Sequence, residues 1–278
     1  MKTLLNISLF FSVIVGSSIL AQDLKGVANY KTQRKMDVDL ENDQMNEEMK
    51  AQMMVMLKKQ FEKEYELEFN ANESIYKEVE KLDTPGTGAS WIVINTDGGG
   101  ILYRNLKENR FTSQSEIFSK QFLIQDSIER PEWKLHKDAK NIGEYTCFKA
   151  TFTRMVTVMN SVRSSSDVDS APLEQTEEEQ TVTAWYTPQI PVGHGPNQYG
   201  GLPGLILEVG DGQETILCSK IVLNPKKTLN IEEPKGGKKV SRTEFEAIMD
   251  KKMKEQMEQF ENNRGDDDGE HIEIRIGG

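Results

Sequence analysis

The stretch YELEFNANESIYKEVEK, residues 65–81, places Tyr65, Leu67 and Phe69 at every second position with acids between them. It breaks at an Asn-rich turn and resumes with Ile75 and Val79. Period-two alternation sends side chains to opposite faces of a pleated strand, so each such segment has one face to bury and one to solvate. The same grammar recurs at Gly26–Val38, Arg110–Ser115, Lys120–Gln125, Glu144–Thr157, Thr181–Tyr186, Gly204–Val209 and Thr215–Leu223. "WIVIN" and "ILYRN" flank Thr96-Asp-Gly-Gly-Gly100, a composition suited to a hairpin turn with positive φ. Many short strands joined by turns call for an antiparallel meander rather than βαβ units. The chain therefore reads as mainly β (α+β), built on an antiparallel sheet.

Two segments break the alternation. From Asn42, Met45, Met49, Met53, Met56, Leu57 and Phe61 recur at three-to-four spacing, which predicts an amphipathic helical insertion over about 42–64. Ser241 and Glu244 have capping-box spacing, and Phe245, Ile248, Met249, Met253, Met257 and Phe260 form a second stripe over about 241–262. Both helices are expected to pack on the sheet or on each other. Thioethers stacked every fourth residue also match the ligand preference of Cu(I), which singles out Met45, Met49, Met53, Met249, Met253 and Met257. The same flexible side chains equally suit an apolar lid.

The first 21 residues, with Lys2, an apolar run from Leu4 to Val15, then Gly16-Ser-Ser and a terminal Leu-Ala, have the layout of a cleaved secretory signal. The run is too short for a membrane span, and no cysteine follows it to carry a lipid. A secreted or periplasmic location without a transmembrane anchor is the expectation. Residues 22–225 are then one antiparallel β domain, interrupted by the helical insertion and by a mobile acidic loop at about 161–180. Residues 226–278 supply a polar tether, the second helix and an acidic tail in which Ile272, Ile274 and Ile276 suit an edge strand. A formal charge of −11 repels both nucleic acid and anionic membrane surfaces. In an oxidising compartment the two cysteines, Cys147 and Cys218, suit a disulfide contributing about 4 kcal/mol, or else two separate buried thiols.

The search for chemistry centres on residues 188–204. Pro188 and Pro191 end the strand that carries Trp185 and Tyr186, and His194 lies between two glycines, which suggests an accessible imidazole. Tyr199, Gly201, Leu202, Pro203 and Gly204 complete a stiff loop before the apolar run Leu205–Leu207. No GxSxG elbow, HExxH or adjacent acid completes a catalytic unit around His194. The Asp266–Asp268 run is too contiguous for a calcium loop, and no cofactor signature is present.

The segment AWYTPQIPVGHGPNQYGGLPGLILEV, with WKLHKDAKNIGEYTCFKATF and LEFNANESIYK upstream, resembles the GLPGLI family, secreted proteins common in Bacteroidetes. The resemblance covers residues 24–38 and 65–223 and leaves out both Met-rich helices, the acidic loop and the tail. It implies no established reaction and no catalytic residues. By fold-level analogy it implies a curved antiparallel sheet or half-barrel resembling those of periplasmic lipoprotein carriers, whose concave face a helix can cover. The functional expectation is an exported, non-enzymatic binding or accessory protein of the cell envelope. It would hold an envelope protein, a peptide or an apolar small molecule, through the concave face or residues 188–204. The alternatives are a hydrolase using His194 with Tyr186 or Tyr199, and Cu(I) binding through the Met stripes.

Overall fold

The computed structural model describes residues 24–35, 48, 49, 52, 55, 62–79, 100–117, 120–160 and 174–262. The expected signal peptide, WIVIN, the loop tip at 161–173 and the acidic tail lie outside them.

Six strands follow one another as a meander: β1 (Gly26–Arg34), β2 (Glu64–Phe69), β3 (Glu73–Glu78), β4 (Ile101–Asn105), β5 (Arg110–Ile117) and β6 (Lys120–Ser127). A second meander runs β7 (Lys134–Ile142), β8 (Tyr145–Asn160), β9 (Glu174–Thr187), β10 (Leu205–Gly210) and β11 (Glu214–Leu223). Antiparallel pairing of β1 with β11 joins the two, and β12 (Lys238–Val240) adds a parallel edge against β6. The result is one open sheet in the order β12-β6-β5-β4-β3-β2-β1-β11-β10-β9-β8-β7.

The connection from β6 to β7 forces this sheet to curve. Ten strand spacings separate these two strands in the sheet order, which would be about 48 Å on a flat sheet. The link from Ser127 to Lys134 reaches at most about 25 Å fully extended. The two halves therefore coil towards each other without closing, and the inward phase of every strand faces a common interior. Tyr30, Leu67, Tyr76, Val182, Ala184 and Ile216 form its core, and the Tyr30 hydroxyl donates to Ile206 O at 2.7 Å.

After β11 the chain crosses the convex face. Asn230 N donates to Glu68 Oε2 at 2.7 Å, Glu233 accepts from Arg110, Thr112 and Gln125, and Gln114 Nε2 donates to Gly236 O at 2.9 Å. The polar tether is thus docked along the sheet. It then rounds the β6 edge as β12 and delivers α1 (Arg242–Asn262) to the concave side. Ser241 and Glu244 cap this helix reciprocally, each backbone N–H meeting the other's side chain. Phe245 packs edge-on against Phe122 with ring centroids 5.6 Å apart. Glu233→Ala is expected to lower stability by about 1–2 kcal/mol in urea unfolding. Most of that comes from the buried Thr112 hydroxyl losing its acceptor, because the Arg110 side chain is 38% exposed and its pairing is screened. A loss that 1 M salt abolishes would contradict this attribution.

Several expectations need correction. The hairpin pairing of WIVIN with ILYRN does not form at Ile101–Asn105, because β3 and β5 occupy both edges of β4. Acidic residues 174–180, read as loop, belong to β9 and pair in register with Arg154–Asn160 of β8. Glu177, Glu178 and Glu179 are exposed, so strand formation costs them little desolvation. β7 and β12 were not foreseen as strands. Of the two expected helices, α1 is the only one with defined bounds among the described residues. In the first segment Glu48, Met49, Gln52 and Val55 are helical, yet Met49 is 50% exposed rather than packed on the sheet. Cys147 and Cys218 are free thiols. Two strands, β9 and β10, lie between theirs in the sheet order, whereas bridged cysteines need Cα atoms within about 7 Å. Burial raises Cys147 to about 11 and Cys218 to about 12, so both thiols stay protonated at neutral pH.

Candidate functional site

Curvature leaves a cavity of about 870 Å³ on the concave face, within the size range of small-molecule sites. Side chains from both meanders meet there: Tyr65, Tyr76, Leu102 and Phe111 from one half, Phe152 and Ile216 from the other. The pairs Leu67↔Tyr76, Tyr76↔Leu102 and Leu102↔Ser113 fix this set on one face, because alternate residues of paired strands share a face. Tyr65 and Tyr76 stack with centroids 4.8 Å apart, and Trp133 meets Phe152 edge-on at 4.7 Å. Phe245 and Met249 of α1 cover one side, and Asn197, Gln198 and Tyr199 of the 188–204 loop close another.

That loop is an internal plug. His194 is fully buried, and its Nε2 donates to Asn70 O at 3.0 Å in the β2–β3 turn. This contact selects the Nε2–H tautomer and leaves Nδ1 buried without a partner. Burial, reinforced by the nearby Arg104 cation, pulls His194 down to about 3, so it is neutral at physiological pH. Arg104 Nη1 donates to Tyr199 O at 2.8 Å, and Trp133 Nε1 donates to Gly200 O at 2.9 Å. Gly201 N donates to Gly193 O at 2.9 Å, and Leu205 N to Ile190 O at 2.9 Å, which fold the loop back on itself. The plug therefore ties β4, the β2–β3 turn and the β6–β7 link together.

The ten sequence-selected site residues do not form one patch. Tyr199 alone among them lines the cavity. Tyr186, His194, Leu202 and Gly204 are core, while Pro188, Pro191, Gly201 and Pro203 face outwards. Trp185 lies on the opposite face, where Lys140 Nζ sits 4.4 Å from its ring centroid and pairs with Glu208. The expectation of an accessible His194 fails for a local reason: Val192, Gly195, Pro196 and Tyr199 around it are buried too. Among the described residues no group of His, Cys, Asp and Glu is arranged to hold a metal. Of the methionines singled out for Cu(I), Met249 faces the cavity and Met49 is half exposed. Met45, Met53 and the side chains of Met253 and Met257 lie outside the described residues.

Arg104 escaped the sequence reading. It lies on β4 in phase with Leu102, is 4% exposed and lines the cavity. Burial alone lowers it to about 10, which leaves it charged at neutral pH. A buried cation in inward strand phase is the signal that would have found it, but Ile101 and Tyr103 make the opposite phase of ILYRN look equally apolar.

No helix among the described residues is long and apolar enough to cross a membrane. No curated protein matches the chain. Among solved structures, two of PNGF-II, in the C2 and P21 space groups, are similar at 14% identity, with TM-scores of 0.47 and 0.46. Each likeness covers 81% of this chain and 32% of the other, so the chain spans about a third of those proteins' length. Residues 133–208, from Trp133 at the end of the β6–β7 link to Glu208 of β10, match the model of a family described as "Protein of unknown function (Porph_ging)".

Proposed function

We propose that this chain is an exported, non-enzymatic binding protein of the GLPGLI type, holding an apolar or extended small molecule on the concave face of its sheet. The observation that carries this reading is the cavity of about 870 Å³, walled by aromatic and aliphatic side chains from both halves of the sheet and flanked by α1. A pocket of this size suits a drug-sized or lipid-like ligand, whose apolar body would lie against Tyr65, Tyr76, Leu102, Phe111, Phe152 and Ile216 while charged residues of the same wall meet its polar end. The helix supports the reading, since Met249 and Phe245 offer an adaptable apolar cover to whatever lies beneath. A His194-based hydrolase has less support, because the imidazole is enclosed and its donor is already used by Asn70 O.

Titration with the uncharged fluorophore N-phenylnaphthylamine tests the proposal. Saturable one-to-one enhancement with a micromolar dissociation constant is expected. A linear, unsaturable response would count against it.

A further inference from the structure

We infer that the ligand of this cavity is an apolar-tailed monoanion, a chain carboxylate whose headgroup pairs with Arg104. The inference rests on the binding reading above and narrows its ligand class.

The argument starts from the charges around the cavity. Arg154 pairs with Asp211 and hydrogen-bonds Gln180, and Arg242 pairs with Glu129 while lying over the Phe111 ring. Arg130 also lines the cavity but is exposed, so water solvates its charge. Arg104 differs from all three. It is deeply buried, and its one hydrogen bond goes to a neutral backbone carbonyl, Tyr199 O. Among the described residues no carboxylate pairs with it. A guanidinium carries five N–H donors, and a buried charge without a counterion is costly. Arg104 lines the cavity, so a ligand carboxylate can supply the missing counter-charge with a charge-assisted contact.

The surroundings select one negative charge and an apolar body. On its own face Arg104 has Phe111 and Ser74 directly opposite on the neighbouring strands, and Leu102 and Tyr76 one step along offer further apolar surface. Glu129, Glu246 and Asp250 stand at the α1 side of the cavity and disfavour polyanions such as phosphate diesters with further charges. A second polar position lies at the far end. Ser115 Oγ is buried and has no hydrogen-bond partner, and Ser115 also lines the cavity. It sits four residues along β5 from Phe111, the residue opposite Arg104, which is about 14 Å of strand. An extended chain of that order, anchored by its carboxylate at Arg104, runs past Ser113 and lies against Leu102, Phe111 and Ile124, which line the same cavity.

The test compares dodecanoate with dodecan-1-ol as competitors of N-phenylnaphthylamine on the full chain. These ligands share their tail and differ at the head. Wild-type protein is expected to bind the carboxylate at least about tenfold more tightly, the least that a charge-assisted contact provides. Arg104→Met should bring dodecanoate down to the alcohol's level as measured in the same variant, since losing the Tyr199 O contact affects both ligands alike and only the carboxylate also loses its headgroup partner. Arg104→Lys should keep a preference for the carboxylate. Equal affinities for the two ligands in the wild type would overturn the inference while leaving the binding reading intact. Failure of the fluorophore and both ligands to bind would overturn the reading and the inference together. Should Arg104→Met fail to fold by thermal melt, the wild-type comparison and the lysine variant still decide the matter.

Discussion

Gly204→Ala is expected to destabilise the fold by about 3 kcal/mol, at the upper end of the usual cost of overpacking. A Cβ built at Gly204 would lie 2.2 Å from Thr187 O, 2.6 Å from Thr187 C and 2.9 Å from Pro188 N. All three are backbone atoms, and Thr187 is held by the ladder opposite Leu205, so nothing flexible can give way. Alanine would also restrict the unfolded chain, but that gain is about 1 kcal/mol at most and cannot offset the clash. Gly193 in the same loop supplies the comparison. Its added Cβ would meet Leu106 Cδ1 at 3.5 Å and Leu202 O at 3.8 Å, ordinary contacts. Gly193→Ala should therefore stay within about 1 kcal/mol of the wild type. Urea midpoints at constant slope measure both. Similar losses in the two variants would show that the loop as a whole, rather than the β9–β10 approach, sets the cost.

The second large effect is a loss of stability in mild acid, caused by His194. Its folded-state value of about 3 lies well below the ordinary imidazole value of 6.5. Below pH 6.5 the unfolded chain takes up a proton that the folded chain refuses. Stability is therefore full above about pH 6.5 and falls as pH drops from there towards 3. Each pH unit inside that window costs about 1.4 kcal/mol, so going from pH 6.5 to 5 should remove about 2 kcal/mol. His194→Gln keeps an amide donor for Asn70 O but cannot titrate. Its stability curve should be flatter than the wild type's between pH 6.5 and 5, whatever its absolute stability. Parallel curves would mean that other groups control the acid response.

These two residues also show where the sequence was legible. The alternation of Tyr65, Leu67 and Phe69 identified β2, and their neighbours Leu102, Phe111 and Ile216 lay on recognisable strands. Antiparallel order was legible too, because turn residues joined neighbouring strands. Curvature followed from no single segment: it comes from the short link between β6 and β7, two strands whose distance in the sheet is set by the pairing of β1 with β11. The same long-range pairing decides which residues face the interior. His194 looked exposed because glycines and prolines surround it, yet those small residues let the loop pack inwards against the β2–β3 turn. Glu174–Gln180 looked like loop because charge masked their pairing with β8. Arg104 drew no reading on its short strand, and only the register of β4 with β3 and β5 puts it in phase with the cavity wall.

The central claim is that the concave cavity is the ligand site, and filling it tests that claim most directly. Ser113 on β5 lines the cavity opposite Leu102 and is only half-buried, so a tryptophan there can extend into the open space. N-phenylnaphthylamine binding should be saturable in the wild type and at least about tenfold weaker in Ser113→Trp, as expected when a bulky side chain occupies the ligand's volume. The melting temperature should be essentially retained. Equal binding by the wild type and a folded Ser113→Trp protein would place the ligand elsewhere and contradict the account.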